Sequence, residues 1–516
     1  MQAKACRRLV TVSVATLLAV TTAAVPAKAA SDTGSLHITV TEATGAPAGG
    51  AVYIFEPDHS YVTYGELDAD GRATLTLPAG SYRAQILPSS ASGPGVTDIS
   101  RAQWWQGKTS FETADPITVT AGATVEITER LFPTGSIEIT ARDSITGRTI
   151  ADFCVVDDYW SRHACSQGSG KVVLADLPPG TYRFWVSSED DTYLNTTVWL
   201  TVKANETTTT EVELEPAAKI QTTIVDATTG APVFAACVAL SPAGSGRLPY
   251  GANNCSGFTG KVVVLYVPAG SYQLFVRPPT LSTYGAQWVG WRGGTGDPTR
   301  ARVVRVAPGE TVRVPPIRLD PGGSISGVVT SAATGQPVPY AYVSLSAGER
   351  PGNEFAVSTN EQGQYRFDRL GPYRWRLFFT ADNHARQWSG GTADRRRAEW
   401  IGVWAGQTTT YSPALQVGTM LTGRVTDASG APFKGYVDIY HARTGDRIGE
   451  GRSTDGTYRS FVLGPTIVKI RREWGEASSG QNRSNWYDGA GSFEDATPVR
   501  IAASGTQTLD MVVDTD

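Results

Sequence analysis

The chain has 516 residues, room for three to five ordinary domains, with 45 Lys and Arg against 49 Asp and Glu. That balance excludes a strongly basic nucleic-acid binder, and Gly 55 with Pro 30 (about 16% together) stays below the ~25–30% of disordered chains. Hydrophobic residues at 41%, with 13 Trp and 20 Tyr, can fill real cores, while 5 His make a His-rich metal centre hard to build.

Taken from the start, Lys4, Arg7 and Arg8 precede an apolar run from Leu9 to Val20, and Ala27-Lys28-Ala29 offers small residues for cleavage. That order predicts a secretory signal peptide over residues 1–29. The run is shorter than the ~20 residues a spanning helix needs. Cys6 lies before it and is not placed as a lipoprotein cysteine. The expectation is a secreted, extracellular protein with no membrane contact after cleavage.

Self-similarity is the strongest signal that follows. Similar segments open at Gly34-Ser-Leu-His-Ile-Thr-Val, Gly135-Ser-Ile-Glu-Ile-Thr-Ala, Lys219-Ile-Gln-Thr-Thr-Ile-Val, Gly323-Ser-Ile-Ser-Gly-Val-Val and Gly418-Thr-Met-Leu-Thr-Gly-Arg-Val. Each alternates apolar and polar residues, the period of a half-buried strand. A turn follows each: Thr44-Gly45, Thr146-Gly147, Thr229-Gly230, Thr334-Gly335 and Ser429-Gly430. Further along come Leu77-Pro-Ala-Gly80-Ser-Tyr82, Leu177-Pro-Pro-Gly180-Thr-Tyr182, Val267-Pro-Ala-Gly270-Ser-Tyr272, the looser Leu370-Gly-Pro-Tyr373 and a degenerate Leu463-Gly-Pro-Thr. Proline fixes one dihedral of such a turn and glycine accepts a positive φ.

About seven strands per repeat and no amphipathic helix predict an all-β fold. It is a tandem array of five antiparallel, seven-stranded, Ig-like or prealbumin-like β-sandwich domains, at 34–132, 135–215, 218–319, 323–416 and 418–515. A strand, Thr-Gly-x-Pro, Asp-x-x-Gly and Leu-x-x-Gly-x-Tyr in this order resemble the carboxypeptidase-regulatory-like repeat and its transthyretin-like, collagen-adhesin B-type and starch-binding-like relatives. The resemblance covers most of residues 34–515 and implies an extracellular, carbohydrate-binding-like module without catalysis of its own. Some adhesin relatives carry a Lys–Asn isopeptide bond; the Lys, acid and Asn it requires cannot be assigned here, and none is expected.

Four cysteines follow the leader. Cys154 and Cys237 lie at matching distances from the starts of their repeats, and Cys165 and Cys255 each open a Cys-Ser-x-x-x-Gly-Lys-Val-Val stretch. The duplicated register predicts Cys154–Cys165 and Cys237–Cys255, each closing a loop for about 3 kcal/mol in the chain-entropy model. Metal binding is the weaker alternative, since the two pairs lie far apart in sequence.

Catalytic signatures are missing. There is no His-Glu-x-x-His, no Gly-x-Ser-x-Gly and no phosphate-binding glycine loop. Glu66-Leu-Asp68-Ala-Asp70-Gly71 resembles a calcium loop only distantly, with Leu77 at its twelfth position, and reads as an Asp-Gly hairpin turn. No metal and no cofactor are expected. A glycoside hydrolase such as an alpha-amylase stays open as the one enzyme class, because paired carboxylates cannot be excluded by counting.

Tryptophans recur late in four repeats: Trp104-Trp105, Trp291, Trp388 and Trp486-Tyr487, each thirteen residues before Ile117, Val304, Ile401 or Val499. Flat rings among polar residues suit stacking on sugars. Trp104, Trp105, Trp291, Trp388, Trp486 and Tyr487 are therefore carbohydrate-binding candidates; the alternative is that each ring seals its own sandwich. Arg395-Arg396-Arg397 reads as a solvated loop. The leading expectation is a monomeric, non-catalytic protein that binds polysaccharide or another cell-wall or extracellular polymer, and no nucleic acid. A structural or adhesive cell-surface spacer comes second and a secreted glycan hydrolase, or an accessory module to one, third.

Overall fold

The structure is a computed structural model, described over residues 32–89, 101–157, 163–245, 248, 254–347, 355–475 and 482–513. The expected signal peptide and Cys6 lie outside them. Regular structure among the described residues is strand, with three single-turn 3₁₀ segments.

The first segment shows how alternation becomes a sandwich. Thr33–Thr41 buries Leu36, Ile38 and Val40 on one face. It pairs antiparallel with Arg72–Pro78 and parallel with Thr124–Arg130. A second sheet runs Tyr61–Glu66, Gly50–Phe55, Gly80–Pro88, Gln103–Trp104, with Ile117–Val119 also on Gly80–Pro88. Val52, Ile54, Ala84 and Ile86 of this sheet share one core with Leu36 and Ile38. The later segments repeat the two-sheet arrangement. A parallel ladder between opening and closing strands recurs at Ile220–Val312, Ile325–Thr409 and Met420–Thr506.

The turn residues act as the sequence suggests. Asp226 Oδ1 accepts from the Thr228 and Thr229 amides at 2.8 and 2.6 Å, and Gly230 follows at φ +74°. Asp68 Oδ1 accepts from the Asp70 and Arg72 amides at 2.9 and 2.8 Å, so that acidic loop is a self-satisfied hairpin turn. The recurring tyrosine closes its own turn: Tyr82, Tyr182 and Tyr272 donate to the carbonyls of Pro78, Pro178 and Pro268 at 2.9, 2.7 and 2.9 Å.

The chain packs as two compact units. Counting the described residues only, one lies within 1–140, 155–185 and 197–212, the other within 141–154, 186–196 and 213–516. In the second, two hydrophobic cores cross segment boundaries. Phe275, Ala286 and Trp288 of the third segment pack with Ile325, Phe367 and Trp375 of the fourth. Phe378, Ala385 and Trp388 of the fourth pack with Leu421, Ile439 and Val468 of the fifth.

Candidate ligand-binding surface

The strands carrying the tryptophans fix what these rings can do. Trp104, Trp388 and Trp486 each sit on a short strand paired to the strand after the Pro-x-Gly turn, opposite Gln85, Phe378 and Arg471. In the third segment the residue in that place is Trp288, opposite Phe275. Trp291 lies three residues beyond it, in a longer loop. The thirteen-residue spacing to Val304 therefore picked the wrong tryptophan, because the loop insertion happened to put a second one at the expected distance.

Burial then divides the candidates. Trp104 is 6% exposed among Phe55 and Phe111, Trp288 3%, and Trp388 2% against Phe378 at 5.0 Å. Trp486 is half-buried between Tyr440 and Phe493, and Trp105 and Tyr487 are half-buried against their segments' cores. Trp104 and Trp388 are thus not exposed stacking platforms: Trp388 belongs to a hydrophobic core, and Trp104 is covered by Phe55, His59 and Phe111. Trp291 alone of the six is a largely exposed ring, at 75%.

What recurs instead is a Gln-Trp pair. Gln103, Gln287 and Gln387 precede Trp104, Trp288 and Trp388 and are at most 1% exposed. Their amides reach the outgoing end of the segment: Gln103 Nε2 donates to Arg130 O at 3.0 Å, Gln287 Nε2 to Arg318 O at 2.8 Å, Gln387 Nε2 to Gln416 O at 3.3 Å. Gln103 Nε2 also meets Glu129 Oε1 at 2.5 Å. Burial raises the pKa of Glu129, against the lowering effect of the Gln106 and Gly107 amides and of Gln103. The dipeptide recurs in the sequence as Gln103-Trp104, Gln287-Trp288 and Gln387-Trp388.

A second departure builds the joint between the third and fourth segments. Trp375 lies opposite Ile401 as Tyr82 lies opposite Ile117, so Trp375 takes the place of the turn tyrosine. Its Nε1 donates to Gly371 O at 2.9 Å, four residues back as in the tyrosine turns. Tyr373 then stands where the first three segments have Gly80, Gly180 and Gly270. Its hydroxyl lies 2.9 Å from Gln287 Oε1 of the third segment and 2.5 Å from Asp320 Oδ2 just after that segment's end. Burial, then the bond to Asp320, pushes its pKa far above the usual phenol value. Two backbone bonds, Ala286 N to Arg369 O at 2.8 Å and Gly371 N to Ala286 O at 2.9 Å, stitch the same joint.

Arg395 also departs from the solvated-loop expectation. It opens a 3₁₀ turn capped by Asp394, donates to Ser245 O of the third segment at 3.1 Å, and pairs with the buried Asp446 of the fifth at 3.5 Å. Arg396 and Arg397 are exposed.

Beside the third–fourth joint lies a cleft of about 980 Å³. The Trp291–Asp297 loop and Thr299 and Arg300 form one side, Tyr373, Arg374, Arg376 and Trp400 the other. The loop approaches closely because it is glycine-rich: a Cβ at Gly294 would fall 2.1 Å from Tyr373 Oη, and one at Gly296 2.3 Å from Arg374 O. Arg302 lies over the Trp291 ring at 4.9 Å and Arg376 over Trp400 at 3.6 Å.

Cys237 and Cys255 are disulfide-bonded to each other, on paired strands, and Cys154 and Cys165 are disulfide-bonded as well. Such bonds fit an oxidising compartment. Among the described residues no helix is long and apolar enough to cross a membrane.

The fold and joints define a multi-repeat β-sandwich protein. Residues 324–416, its fourth segment, match the carboxypeptidase regulatory-like domain. No curated protein matches the chain. Solved structures similar to it include the Bacillus anthracis TIE protein, at 14% identity over 74% of this chain and 69% of that one, with a TM-score of 0.17. The minor pilin GBS52 of Streptococcus agalactiae is 14% identical over 36% of this chain and 96% of its own, with a TM-score of 0.25. A streptococcal ancillary pilin is 13% identical over 56% and 99%, with a TM-score of 0.23.

Proposed function

We propose that this is a secreted, non-catalytic structural or adhesive element of the cell exterior, built from five sandwich domains bounded at 34–132, 135–215, 218–319, 323–416 and 418–515. The observation that carries the reading is the pair of cores crossing segment boundaries, one shared by the third and fourth segments and one by the fourth and fifth. Modules that only display binding loops gain from flexible linkers and separate cores. A spacer that transmits position or load gains from joints that cannot bend without exposing apolar surface. The Gln-Trp pairs act in the same sense, each tying the outgoing strand of a segment to its own sheet.

Hydrogen exchange followed by mass spectrometry on the full mature chain tests this. Under mild denaturant, amides around Ala286, Leu370 and Ala385 should open together with the cores they join, as one cooperative block spanning the third to fifth segments. Separate opening of the third segment at lower denaturant, with the fourth still protected, would refute a stiff element. Polymer binding remains a second reading, favoured by the exposed Trp291 ring at the mouth of the glycine-rich loop.

A further inference from the structure

We propose that the cleft between the third and fourth segments binds an anionic polysaccharide, sugar rings lying against Trp291 and Trp400 and acid groups meeting Arg292, Arg300, Arg374 and Arg376. The proposal goes beyond the structural reading and does not depend on it.

Charge is the first argument. Four arginines line the cleft against one lining acid, Asp297. That acid is already engaged: its Oδ1 accepts from the Thr299 amide at 3.0 Å and from the Thr299 hydroxyl at 2.8 Å, and it lies 4.0 Å from Arg300. Arg376 is pressed over the Trp400 ring, and its buried Nε carries no hydrogen bond. Burial lowers its pKa despite Asp297 nearby. A guanidinium held in low dielectric gains most from an added anion.

Shape is the second argument. About 980 Å³ is at the upper end of the ~300–1,000 Å³ usual for ligand sites, and the cleft is open enough to let a chain pass. Aromatic rings and planar guanidinium groups together suit a ligand that alternates flat apolar ring faces with carboxylates. A short anion would use the arginines without the indoles, and a neutral glucan the reverse. The walls are preorganised: the Tyr373 contacts with Gln287 and Asp320 fix one side against the other.

Affinity electrophoresis of the full mature chain in gels holding polygalacturonate, dextran or poly-glutamate tests the proposal. Retardation is expected with polygalacturonate and should fade as salt is raised from about 50 to 500 mM. Trp291→Ala and Arg374→Ser, both at exposed side chains, should each weaken it roughly five- to tenfold without moving the melting temperature. Trp185→Ala, which removes an exposed ring on the second segment, should leave it unchanged. Equal retardation by dextran would overturn the role of charge, and equal retardation by poly-glutamate the role of the rings. Absence of retardation by polygalacturonate, or full retention by Trp291→Ala, would overturn the site.

Discussion

Truncating Trp388 and Trp291 separately distinguishes a ring on the recurring short strand from a ring on the surface loop beyond it. Trp388 is 2% exposed and belongs to the cluster that joins the fourth segment to the fifth. Replacing a buried Trp by Ala costs about 3–5 kcal/mol through lost transfer energy and the cavity left behind. Its Nε1 is buried without a hydrogen bond, so removing it relieves a desolvation penalty and places the expected loss near the lower end, about 3 kcal/mol. Trp388→Phe, which keeps a ring and deletes that N–H, should cost less. Trp291 at 75% exposure loses mainly its contact with Arg302, roughly 0.5 kcal/mol at an exposed site. Urea unfolding of the full mature chain, followed by hydrogen exchange at the fourth and fifth segments, reads both. A near-neutral Trp388→Ala, or a Trp291→Ala as costly as it, would refute the assignment of Trp388 to the shared core.

Two further expectations follow from the joints and turns. Tyr373→Phe deletes the hydroxyl shared by the buried Gln287 and the partly buried Asp320; it should cost about 1–3 kcal/mol and speed amide exchange near Ala286 and Gly371, and unchanged exchange would contradict the clasp. The pKa of Asp226 is lowered to about 2, chiefly by the Thr229 amide and then the Tyr284 hydroxyl. A depressed carboxyl stabilises the folded chain above its unfolded pKa and loses that contribution as pH falls through the folded one. The stability difference between the native chain and Asp226→Ala should therefore be widest above pH ~4 and close towards pH ~2, and a difference constant with pH would sink the argument.

The sandwich class was legible because it depends on local rules. Alternation in Thr33–Thr41, the Asx turn at Asp226 and the Pro-x-Gly turns closed by Tyr82, Tyr182 and Tyr272 each involve residues within a few positions of one another. Burial of the tryptophans was not legible, since a ring beside Gly, Ser and Gln looks the same in sequence whether it faces water or a neighbouring core. The confusion of Trp288 with Trp291 has a similar origin: a three-residue lengthening of one loop preserves a spacing count while moving the ring from the ladder to the surface. Arg395 shows the same limit for charge, because its partners Ser245 and Asp446 lie in the two flanking segments.

The places where a repeat breaks its own pattern are where it acquires something beyond a fold. Glycine at the third position of the Pro-x-Gly turn lets the turn close on itself, and a residue with a side chain there must send it elsewhere. In the fourth segment that residue is Tyr373, which crosses to the third, while Trp375 takes over the closing bond to Gly371. The same exchange brings Arg374 and Arg376 to the edge of the joint, opposite the lengthened loop that carries Trp291. Joint and cleft thus come from two linked departures, one in each of two adjacent repeats. A cleft with one wall residue, Tyr373, packed against a shared hydrophobic core resists widening unless that packing opens. Stiffness along the chain and a preformed site between its repeats are then consequences of a single packing arrangement.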